Sequence, residues 1–368
     1  MTPRIERRGL RFYPLSERED RAFAPEDFVS PDEQPAKLSG FAARVAAETA
    51  ERLRTAREAD CARMLVFGAH AIKNGLAPVI ARLAETGWLT HLATNGAGII
   101  HDWEFAFQGH SSEHVAANVA QGKFGMWEET GRYINLAIAV GAWRGLGYGE
   151  SIGALVEQQG LDIPAAETLE VEARAALDAG DAPRAAAAAD LLGVLRDQGV
   201  APGWLAVPHA HPEYGLQAAA YRLGVPFTGH PMIGHDIIYL HPMNHGPSIG
   251  RTAERDFLSF AHSVSRLAGG GVYLSVGSAV MSPMVFEKSV SMAQNLALQR
   301  GERFDGHFMS IVDLQESHWD WTQGEPPEDN PDYYLRFNKS FNRMGGTLRY
   351  ACADNRDFLL ALLHALEG

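Results

Sequence analysis

Cysteine is nearly absent, with only Cys61 and Cys352 in 368 residues and no C-x-x-C spacing. That excludes a disulfide framework and a zinc ribbon and points to a reducing compartment. No apolar run approaches the roughly 18 residues that span a bilayer. The stretch from Met1 to Asp20 mixes Arg and Glu and lacks the apolar run of a secretory signal. A cytoplasmic protein with no membrane partner is expected. Positive charge is also in deficit: 32 Lys and Arg against 45 Asp and Glu leave a net charge of -13. Such a field repels phosphate backbones, which argues against a nucleic-acid binder, and favours cationic ligands. What remains is an ordinary globular composition, 46% hydrophobic and 21% charged, on a chain long enough to bury a sizeable core.

Residues 1–40 carry Pro3, Pro14, Pro25, Pro31 and Pro35 among many charges. They read as an arm that wraps the surface or a neighbouring subunit and carries no function. Residues 41–368 read as one catalytic domain. Helical spacing over 41–57 is followed by a strand at 64–67, a helix at 75–86, a strand at 89–93 and a turn at 94–98. An Ala-rich stretch over about 150–197 predicts a peripheral helical insertion. Further strands are predicted at 204–207, 226–228, 237–240, 272–276, 308–312 and 347–352, with a last helix at 355–366. Strands alternating with helices imply an α/β fold, a doubly wound and mostly parallel Rossmann-like sheet.

Three Gly-containing turns follow predicted strands: 68–75, Thr94-Asn95-Gly96-Ala97-Gly98, and 276–280 with Gly277 and Ser278. Such turns bring backbone N–H groups to phosphates, or simply allow tight packing; none is a G-x-G-x-x-G fingerprint. Histidines crowd another region, with His209, His211, His230, His235, His241 and His245 around Asp236. They suit a metal-dependent hydrolase, or a neutral imidazole that carries protons beside Asp236. Asp236 is either a cap or a carboxylate for a cationic ligand. Lys339 lies three residues after Arg336 on one helical face. It is either a solvated charge or a lysine whose pKa a neighbouring cation lowers for attack.

Taken in order, the 68–75 turn, Leu92 to Asp102, Gly224 to Phe227 with Gly234 to Ile238, 269–280, and Pro331 to Lys339 resemble deoxyhypusine synthase and its relatives. The resemblance implies a homotetramer that binds NAD, oxidises a small cationic amine and transfers an alkylamine group through a lysine imine. It implies that Thr94, Asn95, Gly96 and Gly98 cradle the cofactor with Gly277 and Ser278, that Asp102 fixes the turn, and that Asp320 belongs to a loop contacting ribose or substrate. Lys339 would be the nucleophile, Asp236 the amine anchor, and His101 or His235 the proton carrier. Where the family's substrate pocket has Trp, Glu and His, this chain has Phe337, Tyr333 and Ser282. An aromatic wall survives, but a carboxylate and an imidazole are lost, so the pocket reads as divergent. No residue is assigned to a metal in this reading. The remaining alternatives are the metal-dependent hydrolase and a non-catalytic ligand-binding member of the fold.

Overall fold

The computed structural model describes residues 2–368. Among them the strands are β1 Asp20–Phe23, β2 Arg63–Phe67, β3 His91–Asn95, β4 His110–Glu113, β5 Gly160–Ile163, β6 Gly203–Ala206, β7 Phe227–His230, β8 Val272–Val276, β9 Phe308–Asp313 and β10 Thr347–Cys352. Six form the central sheet in the order β10-β9-β8-β2-β3-β7, and every neighbouring pair is parallel. Numbered within this sheet alone and read from β7, the order is 3-2-1-4-5-6. That is the order of a dinucleotide-binding doubly wound sheet, with its switch point between β2 and β8.

Alternation along the strands feeds two cores. Met64, Val66, Ala93 and Tyr273 face one side, with Phe260, Phe286 and Phe341. Leu65, Phe67, Leu92 and Leu274 face the other, with Ile80, Ile99 and Leu363. Helices cover both faces, which is why the strands read as nearly continuous apolar runs. No described helix is long and apolar enough to cross a membrane.

Four expectations need correction. Residues 237–240 form a 3-10 turn, Ile237–Leu240, and not a strand; the short apolar run buries Ile238 and Tyr239 and ends before Pro242. A run of four apolar residues has no period that separates strand from turn. The strand near 204–207 is β6, which pairs antiparallel with β5 outside the central sheet. β3 lies two residues later than predicted, at His91–Asn95. The N-terminal arm is no passive wrap: β1 pairs antiparallel with β4, Leu15 and Val29 are buried, and Arg18 enters the interior. The stretch around 150–197 comprises the helices Tyr148–Gln158, Ala166–Asp178 and Ala182–Gln198, together with β5.

His91 on β3 is fully buried, its Nδ1 2.9 Å from Ser263 Oγ and its Nε2 2.9 Å from Thr228 Oγ1. Burial, with the neighbouring His230, lowers its pKa from 6.5 to about 3. Between those values the unfolded chain binds the extra proton, so His91 makes the fold lose stability as pH falls from 6.5 towards 3. His91→Gln is therefore expected to flatten the pH dependence of urea unfolding in that window, by up to about 1.4 kcal/mol per pH unit. Equal slopes in variant and wild type would refute a neutral buried imidazole.

Candidate functional site

The carboxyl end of β3 is built from small side chains that make room for one another. Thr94 is wholly buried and its hydroxyl donates to the Phe67 carbonyl at 2.9 Å, tying β3 to the end of β2. A Cβ on Gly98 would overlap that Thr94 side chain. Asn95 caps the helix Gly96–Gln108, its Oδ1 accepting from Gly98 N at 3.0 Å. A Cβ on Gly96 would overlap the Asp236 carboxylate. The bare Gly96 thus lets a carboxylate from a distant loop rest on the first turn of the helix, where the helix dipole favours negative charge.

Asp236 lines a pocket of about 250 Å³ together with His235, His101, Lys73, Glu104 and Arg18. Its Oδ2 is sealed from solvent and has no hydrogen-bond partner, and burial pushes its pKa up to about 7. Lys73, at the end of the short helix Ala69–Lys73, has no ion-pair partner among the described residues. Arg18 closes the back wall: Nη1 and Nη2 each donate to Glu104 at 2.7 Å, and Nε donates to Asp20 at 2.6 Å. Burial works to raise Glu104, but the charge and hydrogen bonds of Arg18 outweigh it and hold the carboxyl low. Ser111 Oγ, 2.5 Å from Glu104 Oε2, is also 2.7 Å from His101 Nδ1. Burial lowers the His101 pKa; Glu104 opposes this, while Arg18, Lys73 and His70 add to it, so the imidazole is neutral near pH 7.

The switch point lies on the other side of the Ala69–Lys73 helix. A Cβ on Gly68 would overlap the Gly277 carbonyl oxygen, so the ends of β2 and β8 meet backbone to backbone. Gly277 has φ 58°, the left-handed region glycine favours. Ser278 Oγ accepts from Ser282 N at 3.2 Å. A second pocket, of about 230 Å³, opens here between His70, Asn74, Gly277, Asp313 and Asn355.

The structure therefore brings His101, His235 and Asp236 together beside Gly96, and sets Gly277 and Ser278 one crevice away. Other expected residues have different surroundings. Asp102 points away from the pocket; it accepts from Leu216 N at 2.8 Å and from Gln217 N and Nε2 at 2.9 Å, so it holds the helix Leu216–Leu223, and burial pushes its pKa up to about 6. Ser282 is fully buried against Tyr273 OH and Ser275 Oγ, both at 2.8 Å, and belongs to the core. Phe337 is core as well, beside Tyr350. Asp320 is exposed and caps Thr322. The histidines scatter: His209 packs edge-on to Trp103 and Phe107, His211 stacks on Tyr214, His241 faces Glu128, and His245 faces Ser248. No three potential ligands gather for a metal among the described residues.

Lys339 lies on the helix Arg336–Asn342 beside β10, at the opposite edge of the sheet from β7. Its Nζ is 3.0 Å from Glu325 Oε1 and 3.1 Å from the centre of the Tyr333 ring. Burial works to lower its pKa, but Tyr333 and Glu325 outweigh it and raise it. A lysine held as a cation is the reverse of what imine formation needs.

Arg18, Lys73 and Glu104 were not singled out from the sequence. A lone charged residue carries no local signal of the partner it will meet. Gly96→Ala tests the central contact. Ala favours helix over Gly by about 1 kcal/mol, so the protein is expected to melt near the wild-type temperature while the displaced Asp236 loses its titration near pH 7 in carboxyl-carbon NMR. An unchanged titration would show that the overlap is relieved elsewhere.

No protein-family model and no curated protein matches the chain. Solved structures resemble it in fold. A conserved protein provisionally named LOR/SDH, from Methanococcus maripaludis S2, is 13% identical, with 92% of this chain and 73% of that one covered at a TM-score of 0.41. The ternary complex of AgrE with ornithine and NAD+ is 14% identical over 90% of this chain and 34% of its own, at 0.42. ArgZ, an arginine dihydrolase from the ornithine-ammonia cycle in cyanobacteria, is 14% identical over 90% and 32%, at 0.41. This chain thus spans about a third of the AgrE and ArgZ chains. These neighbours are of the LOR/SDH, AgrE and ArgZ kind and not deoxyhypusine synthases. With the cationic Lys339 they correct the resemblance drawn from sequence, and the lysine imine it implied goes with it.

Proposed function

We propose that the protein is an NAD-dependent enzyme acting on a small amine or amino acid. The observation that carries this reading is Asp236, whose Oδ2 is buried without a hydrogen-bond partner and whose pKa burial pushes up to about 7, in a pocket one strand from the switch point. A carboxylate poised near neutrality can hold an ammonium ion and accept a proton from it. Lys73, unpaired in the same pocket, would take a substrate carboxylate, so an amino acid fits as well as a simple amine.

The residues at the switch point suit NAD. Gly277 lines the pocket there, and His70, Asn74, Asn355 and Arg356 offer polar groups to a pyrophosphate. The Thr94 turn is less suited to phosphate, because the Asp236 carboxylate already covers Gly96 and Asn95 caps Gly98. Bound there, NAD would supply a hydride acceptor. The chain's own contributions are the Asp236 base, the neutral His101 as a proton carrier, and a back wall fixed by Arg18 and Glu104.

The test is to mix the protein with NAD+ and a panel of amines and amino acids, starting with ornithine, and to follow the absorbance of reduced nicotinamide. Substrate-dependent reduction supports the reading. No reduction with any member, and no reverse reaction from NADH with ammonia and keto acids, would remove it.

A further inference from the structure

Beside its charged groups, the Asp236 pocket has an apolar wall with no part in the reading above, made by Ile100, Val115, Phe124 and Ile237. Val115 is 51% and Phe124 37% exposed, so both still have apolar surface to cover. Close contacts fix this wall against the carboxylate. A Cβ on Gly125 would overlap Ile237, so the segment carrying Phe124 lies against the residue that follows Asp236. Glu113, at the end of β4, fastens the same segment: its Oε2 accepts from Asn118 Nδ2 at 2.7 Å and its Oε1 from Gly125 N at 3.1 Å.

The same cavity holds two more carboxylates, and both are already committed. Arg18 Nη1 and Thr130 Oγ1 donate to one oxygen of Glu104, and Arg18 Nη2 and Ser111 Oγ to the other, which fills its lone pairs. Glu113 spends each oxygen on the segment it holds, and burial pushes its pKa up, which disfavours the charged form a second ammonium would need. Lys73 repels any further cation. A second ammonium taken into this space is therefore desolvated without a partner, whereas an alkyl chain gains from covering the wall. We infer that the pocket selects an amino acid with an apolar, uncharged side chain, seated on Ile100, Val115, Phe124 and Ile237, and discriminates against dibasic amino acids such as ornithine. This rests on the reading that Asp236 takes the substrate's ammonium and Lys73 its carboxylate, and it narrows the substrate class within that reading. A cavity of about 250 Å³ lies at the small end of ligand sites and suits a short chain.

L-Norvaline and L-ornithine share one unbranched side chain and differ by its terminal ammonium. Calorimetric titration of each into the wild-type protein, with and without NADH, which cannot accept a hydride, tests the inference without turnover. Norvaline is expected to bind at least about tenfold more tightly than ornithine, and L-alanine to lose about fourfold against norvaline for each methylene removed. Phe124→Ala should erode the advantage of norvaline over alanine. Val115→Asp supplies the missing carboxylate at an exposed position and should shift the norvaline-to-ornithine ratio about fivefold towards ornithine. Four results overturn the inference: ornithine bound as tightly as norvaline, alanine equal to norvaline, ratios unchanged in both variants, or no binding of any of the three. Ornithine preference together with nicotinamide reduction would remove the selectivity and leave the NAD-dependent reading standing. Norvaline selectivity without nicotinamide reduction by any substrate would do the reverse.

Discussion

Arg18→Met is expected to destabilise the fold by about 3–5 kcal/mol, measured by urea unfolding. The Arg18 side chain is 2% exposed and grips Glu104 with both terminal nitrogens while holding Asp20 through Nε. Glu104 is also bonded by Ser111 Oγ and by Thr130 Oγ1, at 2.8 Å, so it cannot swing out to water once the guanidinium has gone. The loss comes from stranding carboxylates in the interior rather than from the attraction itself. Arg18→Met with Glu104→Gln should therefore be less damaging than the sum of the two single changes. The sign of the pH effect follows from the lowered pKa of Glu104: its contribution is present above its usual value of 4.5 and is lost as pH falls below that. A near-neutral Arg18→Met would mean that the arm is peripheral after all.

The second large effect belongs to Asp236→Asn, which is expected to cut kcat by about a hundredfold to ten-thousandfold, the usual worth of a positioned base. Stability should move the other way. Because the folded pKa of about 7 lies above the usual 3.8, the aspartate's stability is full below 3.8 and lost as pH rises through 7. The neutral Asn escapes that loss, so the variant should match or exceed wild-type stability above pH 7. Activity in wild type should rise with pH through about 7 as the carboxylate ionises, and this limb should vanish in the variant. A variant with unchanged kcat and the same limb would take Asp236 out of the chemistry.

Much of the sheet was legible from the sequence because parallel strands buried on both faces are apolar without interruption. Val272–Val276, Phe308–Asp313 and Thr347–Cys352 fall where the runs predict them. The run at Ile237–Leu240 looks the same to a composition argument, yet it buries Ile238 and Tyr239 against a helix, with Asn135 Nδ2 donating to the Ile238 carbonyl at 2.9 Å. Asp236, His235 and His101 were readable as chemistry-bearing residues near strand ends, but why they meet was not. Gly96 makes room for Asp236 across 140 positions, and Arg18 reaches Glu104 across 86. Lys339 failed in the opposite sense: a local motif suggested a nucleophile, and Glu325 and Tyr333 turned it into a held cation.

The central claim is that this sheet holds NAD at the switch point beside the Asp236 pocket, and equilibrium titration of NAD+ into the wild-type protein, read by heat or by quenching of tryptophan fluorescence, tests it most directly. The account predicts saturable binding of one NAD+ per chain, retained in Asp236→Asn. No saturable binding up to millimolar NAD+ would contradict it.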